Sequence, residues 1–254
     1  MANILELNGL SVGYDSKVIL SDINFSLGAG NMAVLIGSNG CGKSTLMRTI
    51  AGVQPPIAGS VAIDGKKVEA YSRRELARRL AVVSTERIGG GALTAEECVA
   101  IGRYPYTGLF GRLSAEDKEI VGDSLNTVGM TDKANRYVGT LSDGERQKIM
   151  IARALAQQTG LIVLDEPTSF LDVAGRIDTM RLLRRLADRG HTILVSTHDI
   201  APAIVQADTI LAIDAGQRRI YSGSKADIIA SGALDLIFAG SGLYFDKQKG
   251  DYHG

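Results

Sequence analysis

The sequence predicts an α/β fold: an α/β core preceded by an N-terminal antiparallel β region and interrupted by an inserted α-helical subdomain. Three observations carry this expectation. The continuous apolar run Met32 to Ile36 leads into a glycine-rich loop and then a helical pattern, as expected of a central strand covered on both faces. Residues 92–158 hold helix caps and helical periodicity but no strand pattern. From Leu161 onward strand, helix and strand alternate again.

The elements follow in order. Ile4, Leu5 and Leu7, then Val18-Ile19-Leu20, then Ile23, Phe25 and Leu27 read as short strands ahead of the central one. The helix after the glycine-rich loop carries Leu46, Ile50 and Ala51 and stops at Gly52, and residues 60–63 form another short strand. Ser72 and Glu75 make a capping box for a helix expected to hold Leu76 and Leu80 on one face. Thr94 and Glu97 cap a helix to about Arg103, residues 104–111 form a loop, and Ser114 with Asp117 opens a helix carrying Ile120, Val121, Leu125 and Val128. Strand Leu161–Leu164 is followed by a helix over Val173–Arg189, with Val173, Ile177, Met180 and Leu183 on one face and Gly190 as its stop. Strand Thr192–Ser196, strands at 209–213 and 218–221 and two short helices close the chain.

Composition narrows the function classes. With 28 Lys+Arg against 28 Asp+Glu in 254 residues, the chain lacks the positive field of a protein that grips nucleic acid through many phosphates, so no nucleic-acid partner is expected. Cys41 and Cys98 have no CxxC spacing, and His191, His198 and His253 are scattered, so neither a disulfide framework nor a zinc cluster is implied and a reducing cytoplasm is the simplest compartment. MANILELNGL lacks the basic flank and apolar core of an export signal, and no stretch approaches the ~20 apolar residues of a membrane span.

Gly37-Ser38-Asn39-Gly40-Cys41-Gly42-Lys43-Ser44-Thr45 fits G-x-x-x-x-G-K-[ST] between a buried strand and a helix. Its backbone N–H groups can curl around phosphate oxygens, Lys43 can bridge the β- and γ-phosphates, and the Ser44 hydroxyl can bind Mg²⁺. Leu161-Ile162-Val163-Leu164 ends in Asp165 and Glu166, which suit the Mg²⁺ shell and a water attacking the γ-phosphate respectively. Leu141-Ser142-Asp143-Gly144-Glu145 precedes a helix, where spacing alone reads Ser142 as an ordinary N-cap, while the same geometry offers the Ser142 hydroxyl and the Gly144 N–H to an anion.

Residues 37–44, 141–147, 161–172 and 196–199 stand in the order and spacing of the ATP-binding subunits of ABC transporters, which the chain resembles along essentially its whole length. The resemblance implies one domain with a P-loop NTPase core of the RecA-like type, residues 1–91 and 159–254, and a helical subdomain, 92–158, bearing the signature motif. It implies ATP and Mg²⁺, with Tyr14 stacked on adenine. It implies a homodimer in which Ser142, Gly144 and Glu145 close over the γ-phosphate of the opposite subunit, and in which Asp172 couples the two sites. His198 matches the switch histidine at the γ-phosphate. The partners implied are two integral-membrane permease subunits and, indirectly, an external substrate-binding protein, with the chain on the cytoplasmic face of the membrane.

Two departures from the pattern matter. Asp143 and Glu145 bring carboxylates into the signature, so the Asp143 side chain is expected to point away from phosphate while Ser142 and the backbone amides keep their role. The glutamine expected after the strand at 80–83 is absent, and Thr85, beside Glu86, takes its place by offset toward water or Mg²⁺. The stretch Ile101-Gly102-Arg103-Tyr104-Pro105-Tyr106, with Gly111 to Asp117 after it, resembles importers for iron-siderophore, haem and cobalamin. A soluble ABC ATPase of the iron–sulfur cluster assembly type, without a permease, is the alternative that shares the same motifs.

Overall fold

Strand β3 (Met32–Ile36) is buried along its length, and its pleat divides the apolar interior in two. Met32, Val34 and Ile36 face one cluster, and Ala33 and Leu35 the other. The computed structural model describes residues 3–15, 17–84, 92–108, 111–237, 244–246 and 251–253. Around β3 lies a six-stranded sheet in the order β10 (Arg219–Gly223), β9 (Thr209–Asp214), β3, β8 (Thr192–Thr197), β7 (Leu161–Asp165), β6 (Leu80–Val83). All neighbours run parallel except β9 and β10.

A second, antiparallel sheet covers the Ala33 and Leu35 face, in the order β2 (Lys17–Gly28), β1 (Asn3–Tyr14), β4 (Ala58–Ile63), β5 (Lys66–Lys67). The runs 18–20 and 23–27, expected as separate strands, are one strand. Leu10 opposes Ile23 while Val12 opposes Leu20, so β2 carries one extra residue there, and Asp22 takes φ +52° at this bulge. The bulge breaks the alternation that sequence reading relies on. Helix α1 (Lys43–Ile50) packs between the sheets, with Leu46, Met47 and Ile50 in the second cluster.

The capping box at Ser72 forms, but α2 (Arg73–Leu76) ends after one turn, and Leu80 opens β6 opposite Leu161 instead of continuing the helix. Helices α3 (Ala95–Ala100), α4 (Ala115–Thr127) and α5 (Asp143–Ala156) begin at capping boxes on Thr94, Ser114 and Ser142. Their apolar faces meet one another, and the same cluster runs on into Ile162 and Leu164 of β7 and into helix α6 (Val173–Asp188). Val173 and Ile177 do not share the buried face of α6: they are 73% and 37% exposed. That helix joins the core only from Thr179 onward, through Met180, Leu182, Leu183, Leu186 and Ala187. Helices α7 (Ile200–Gln206), α8 (Lys225–Ser231) and α9 (Ala233–Ile237) follow, with an antiparallel pair β11 (Tyr244–Asp246) and β12 (Asp251–His253). Cys41 and Cys98 are buried free thiols. Among the described residues no helix is long and apolar enough to cross a membrane.

Candidate active site

Because β3, β7 and β8 run parallel, their C-terminal ends at Ile36, Asp165 and Thr197 open on the same edge of the sheet. The loops that follow, from residues 37, 166 and 198, are brought together there by topology alone, where ligands bind in open parallel sheets.

The first loop is shaped by glycine. Gly42 caps α1 at φ +109°, and a Cβ on it would sit 2.7 Å from Ile19 Cγ2; one on Gly37 would sit 2.6 Å from Cys41 Sγ. The turn therefore wraps tightly enough for Lys43, 4% exposed, to reach back inside it. Lys43 Nζ donates to Gly37 O at 2.9 Å and Ser38 O at 3.1 Å, and pairs with Glu166 Oε1 at 3.2 Å. No acidic side chain stands in the first turn of α1, so its N–H end keeps its positive character. Tyr14, at the end of β1 and 45% exposed, accepts a hydrogen bond from Thr45 Oγ1 at 3.3 Å. That bond leads in lowering its phenol pKa, with Arg48 adding to it against the effect of burial.

Asp165 and Glu166 are held by a residue from the neighbouring strand. Ser196 Oγ donates to Asp165 Oδ1 at 2.6 Å and accepts from Glu166 N at 2.9 Å. Glu166 itself takes φ +46°, a conformation costly for a side-chain-bearing residue, and its N–H lies 3.1 Å from the Ser196 carbonyl. Ser169 Oγ lies 2.9 Å from Glu166 Oε2. Burial pushes the Glu166 carboxyl up, but the Ser169 hydroxyl, Lys43 and His198 together outweigh it and hold the group below its ordinary value, so it is ionised at neutral pH. His198 Nδ1 stands 3.4 Å from Glu166 Oε2, misaligned for a hydrogen bond, and this buried nitrogen has no hydrogen-bond partner among the described residues.

The signature stretch lies apart, at the N-terminus of α5. Ser142 Oγ accepts from Glu145 N at 3.3 Å, and Glu145 Oε2 accepts from Ser142 N at 2.9 Å. Lys133 pairs with the other Glu145 oxygen; the Lys133 hydrogen bond leads, with Ser142 N–H, in lowering the Glu145 pKa to about 2. The Glu145 carboxylate is thus engaged in the helix cap and this ion pair. Asp143 is turned along its own helix to Arg146 at 2.9 Å, and Arg146 also donates to Leu141 O at 3.0 Å. Among the described residues no hydrogen bond or ion pair joins Ser142, Gly144 or Glu145 to residues 37–45. Asp172 caps α6 through Gly175 N at 2.7 Å. Thr85 and Glu86 lie outside the described residues.

The donor set fits a magnesium ion. Ser44 on α1 and Asp165 at the end of β7 are hard oxygen donors at one sheet edge, and α1 packs on β7. Among the described residues there is no cluster of three or more His, Cys, Asp or Glu that could hold a metal ion. Ser196 and Ser169, which fix both acidic residues, were not singled out by sequence reading. Their signal is the register: once β7 and β8 are parallel neighbours, Asp165 must face Ser196.

Residues 20–169 match the family model described as ABC transporter. The chain is 46% identical over 211 residues to an ABC transporter ATP-binding protein of Methanocaldococcus jannaschii, covering 83% of this chain and 73% of that one. It is 37% identical to the iron(3+)-hydroxamate import ATP-binding protein FhuC of Bacillus subtilis, covering 93% and 88%, and 35% identical to the ferric enterobactin transport ATP-binding protein FepC of Escherichia coli, covering 90% and 84%. Among solved structures, a chain of a metal-chelate type ABC transporter in an inward-facing conformation superposes with TM-score 0.83 at 27% identity, over 99% of this chain and 96% of that one.

Proposed function

The chain belongs to the ABC transporter ATP-binding family, and from that premise we propose that it is the ATP-hydrolysing, energy-coupling subunit of an importer for a metal chelate of the iron-siderophore, haem or cobalamin kind. The convergence of Lys43, Glu166 and His198 on one sheet edge, with Ser196 fixing the Asp165-Glu166 pair, is the observation that carries the catalytic part. Relatives named for iron(3+)-hydroxamate import, ferric enterobactin transport and siderophore transport support the substrate part, and they favour an importer over a soluble assembly ATPase.

Each residue's role follows from its present partners. Lys43 rests on two loop carbonyls and one carboxylate, all of which a phosphate can replace as acceptors. When the ammonium turns to the β- and γ-phosphates, Glu166 loses its closest cation, and an ionised carboxylate held by Ser169 becomes available to position and polarise a water. His198 sets its ring beside that carboxylate, where it can reach the transferring group. Ser44, with Asp165 behind it, would hold Mg²⁺, which when bound neutralises phosphate charge. Tyr14 offers its ring at the rim for adenine. Ser142 and the amides at the start of α5 lie away from residues 37–45, so they act on the nucleotide of a second copy; the working unit is a homodimer on the cytoplasmic face of the membrane, beneath two permease subunits, with Asp172 between the sites and an external binding protein delivering the chelate.

Glu166→Gln keeps the shape and removes the base. It should lower phosphate release by about 100-fold or more while ATP affinity stays within about threefold. Wild-type turnover would remove Glu166 from this role. Uptake by vesicles carrying the cognate permease, compared among siderophore, haem and cobalamin, assigns the cargo.

A further inference from the structure

Asp199 begins α7 at the position where an aspartate normally caps a helix, yet its carboxylate makes no cap bond there. Both oxygens are spent elsewhere. Oδ1 accepts from Arg176 Nη1 at 2.7 Å and Oδ2 from Thr168 Oγ1 at 2.8 Å, while the Asp199 N–H donates to Thr197 Oγ1 at 2.9 Å. Thr168 and Thr197 are each 1% exposed, so the two bonds to their hydroxyls are shielded from water, while the Arg176 side chain is 34% exposed. Arg176 has a second attachment: its Nε donates to Leu171 O at 2.8 Å.

One guanidinium therefore joins the residue before Asp172 to the residue after His198. The planar fork of Arg makes this possible, since its two N–H directions are fixed relative to one another and a carbonyl and a carboxylate are held in one geometry. Among the described residues the His198 Nδ1 has no hydrogen bond of this kind and meets Glu166 only at 3.4 Å. The backbone that carries the ring is anchored next to it by the Asp199 side chain.

We infer that Arg176, acting through Asp199, is a positioning residue that locks the 166–172 loop and the 198–199 loop into one rigid unit, so that His198 and Asp172 move together. The inference rests on the ATPase reading of the site. It predicts that the information Asp172 carries from a second copy reaches His198 through this linkage, which lies beyond the last contact of Glu166 with Ser196 of β8.

The test uses Arg176→Ala and the isosteric Asp199→Asn in the full-length chain, read by two measurements. Steady-state hydrolysis should show kcat reduced about tenfold or more with KM for ATP within about twofold. With only three histidines in the chain, the imidazole ¹H–¹³C spectrum resolves His198, assigned by His198→Ala. Either variant should shift or broaden the His198 signal while His191 stays in place. The double variant should be no slower than the worse single one, because both break the same linkage. An unmoved His198 signal, a kcat within about twofold of wild type, or additive losses would each overturn the inference. Should Arg176→Ala not fold, Asp199→Asn carries the same readouts. Failure of the wild-type chain to bind and hydrolyse ATP would instead overturn the functional reading beneath it.

Discussion

Two buried cations in this molecule are held in opposite ways. Lys43 and Arg103 are 4% and 5% exposed, and each faces one carboxylate: Glu166 at 3.2 Å and Asp117 at 2.8 Å. Arg103 is saturated beyond that pair. It donates to Ala156 O at 2.8 Å and Gln158 Oε1 at 2.9 Å, and its guanidinium lies 4.1 Å from the centroid of the Tyr106 ring. Those partners come from three separate segments, so Arg103 stitches α4, the end of α5 and the 104–107 loop together. Among the described residues Lys43 has only the carbonyls of its own loop and one carboxylate, which is itself held by Ser169. A charge fixed by many distant partners is spent on the fold; a charge held by a few local ones is available to a ligand.

The sharpest way to break that distinction is Lys43→Ala. Affinity for ATP should fall about 1,000-fold, or roughly 4 kcal/mol, while folding stability falls by only about 1 kcal/mol from the unpaired Glu166. Titration calorimetry with ATP and a urea melt on the same sample check both halves. Retained affinity would overturn the site assignment; gross unfolding would show that Lys43 is as structural as Arg103.

Arg103→Ala should give the reverse pattern. Removing one partner strands the Asp117 carboxylate, which Arg103 foremost, with Ser114, now holds down at a pKa of about 2. The expected cost is about 3 kcal/mol of unfolding free energy, with ATP affinity of the folded fraction unchanged. Loss of ATP binding in the folded fraction would erase the contrast.

How far each of these cations could be read in advance differs for the same reason. Lys43 is local: the residues that shape its loop lie within a few positions, so the motif spells out the strand, the turn and the helix that the structure shows. The caps at Ser72, Thr94, Ser114 and Ser142 are legible for that reason too, although the return bond from Glu145 to Ser142 is not. In the sequence Arg103 marks only a helix end and part of the 101–106 stretch, because its partners lie 14, 53 and 55 residues away and periodicity carries no such pairing. The linkage Arg176–Asp199 spans 23 residues and was equally hidden. Misreadings share this origin. Leu80 fitted the face of α2 by spacing, but pairing with Leu161 of β7 pulled it into a strand. Val173 and Ile177 fitted the apolar stripe of α6, but nothing in the stripe says where the core begins.

The Lys133–Glu145 pair at the signature sits between the two extremes and should give the smallest effect. Its side chains are 29% and 25% exposed, so solvent screens the pair and Lys133→Ala should cost about 0.5 kcal/mol at pH 7. Because the folded-state pKa of Glu145 lies near 2, below its ordinary 4.5, the ionised carboxylate contributes stability above about pH 4.5 and loses it as pH falls toward 2. Urea melts of wild type and Lys133→Ala should therefore differ at pH 7 and converge as pH drops toward about 2. The Ser142 N–H remains as a donor in the variant, so Glu145 should stay below its ordinary pKa even there, and the convergence is partial. An equal difference at both pH values would mean that Lys133 acts by packing along α5 and not by its charge, placing the signature cap with the permanent contacts of Arg103 instead of the exchangeable ones of Lys43.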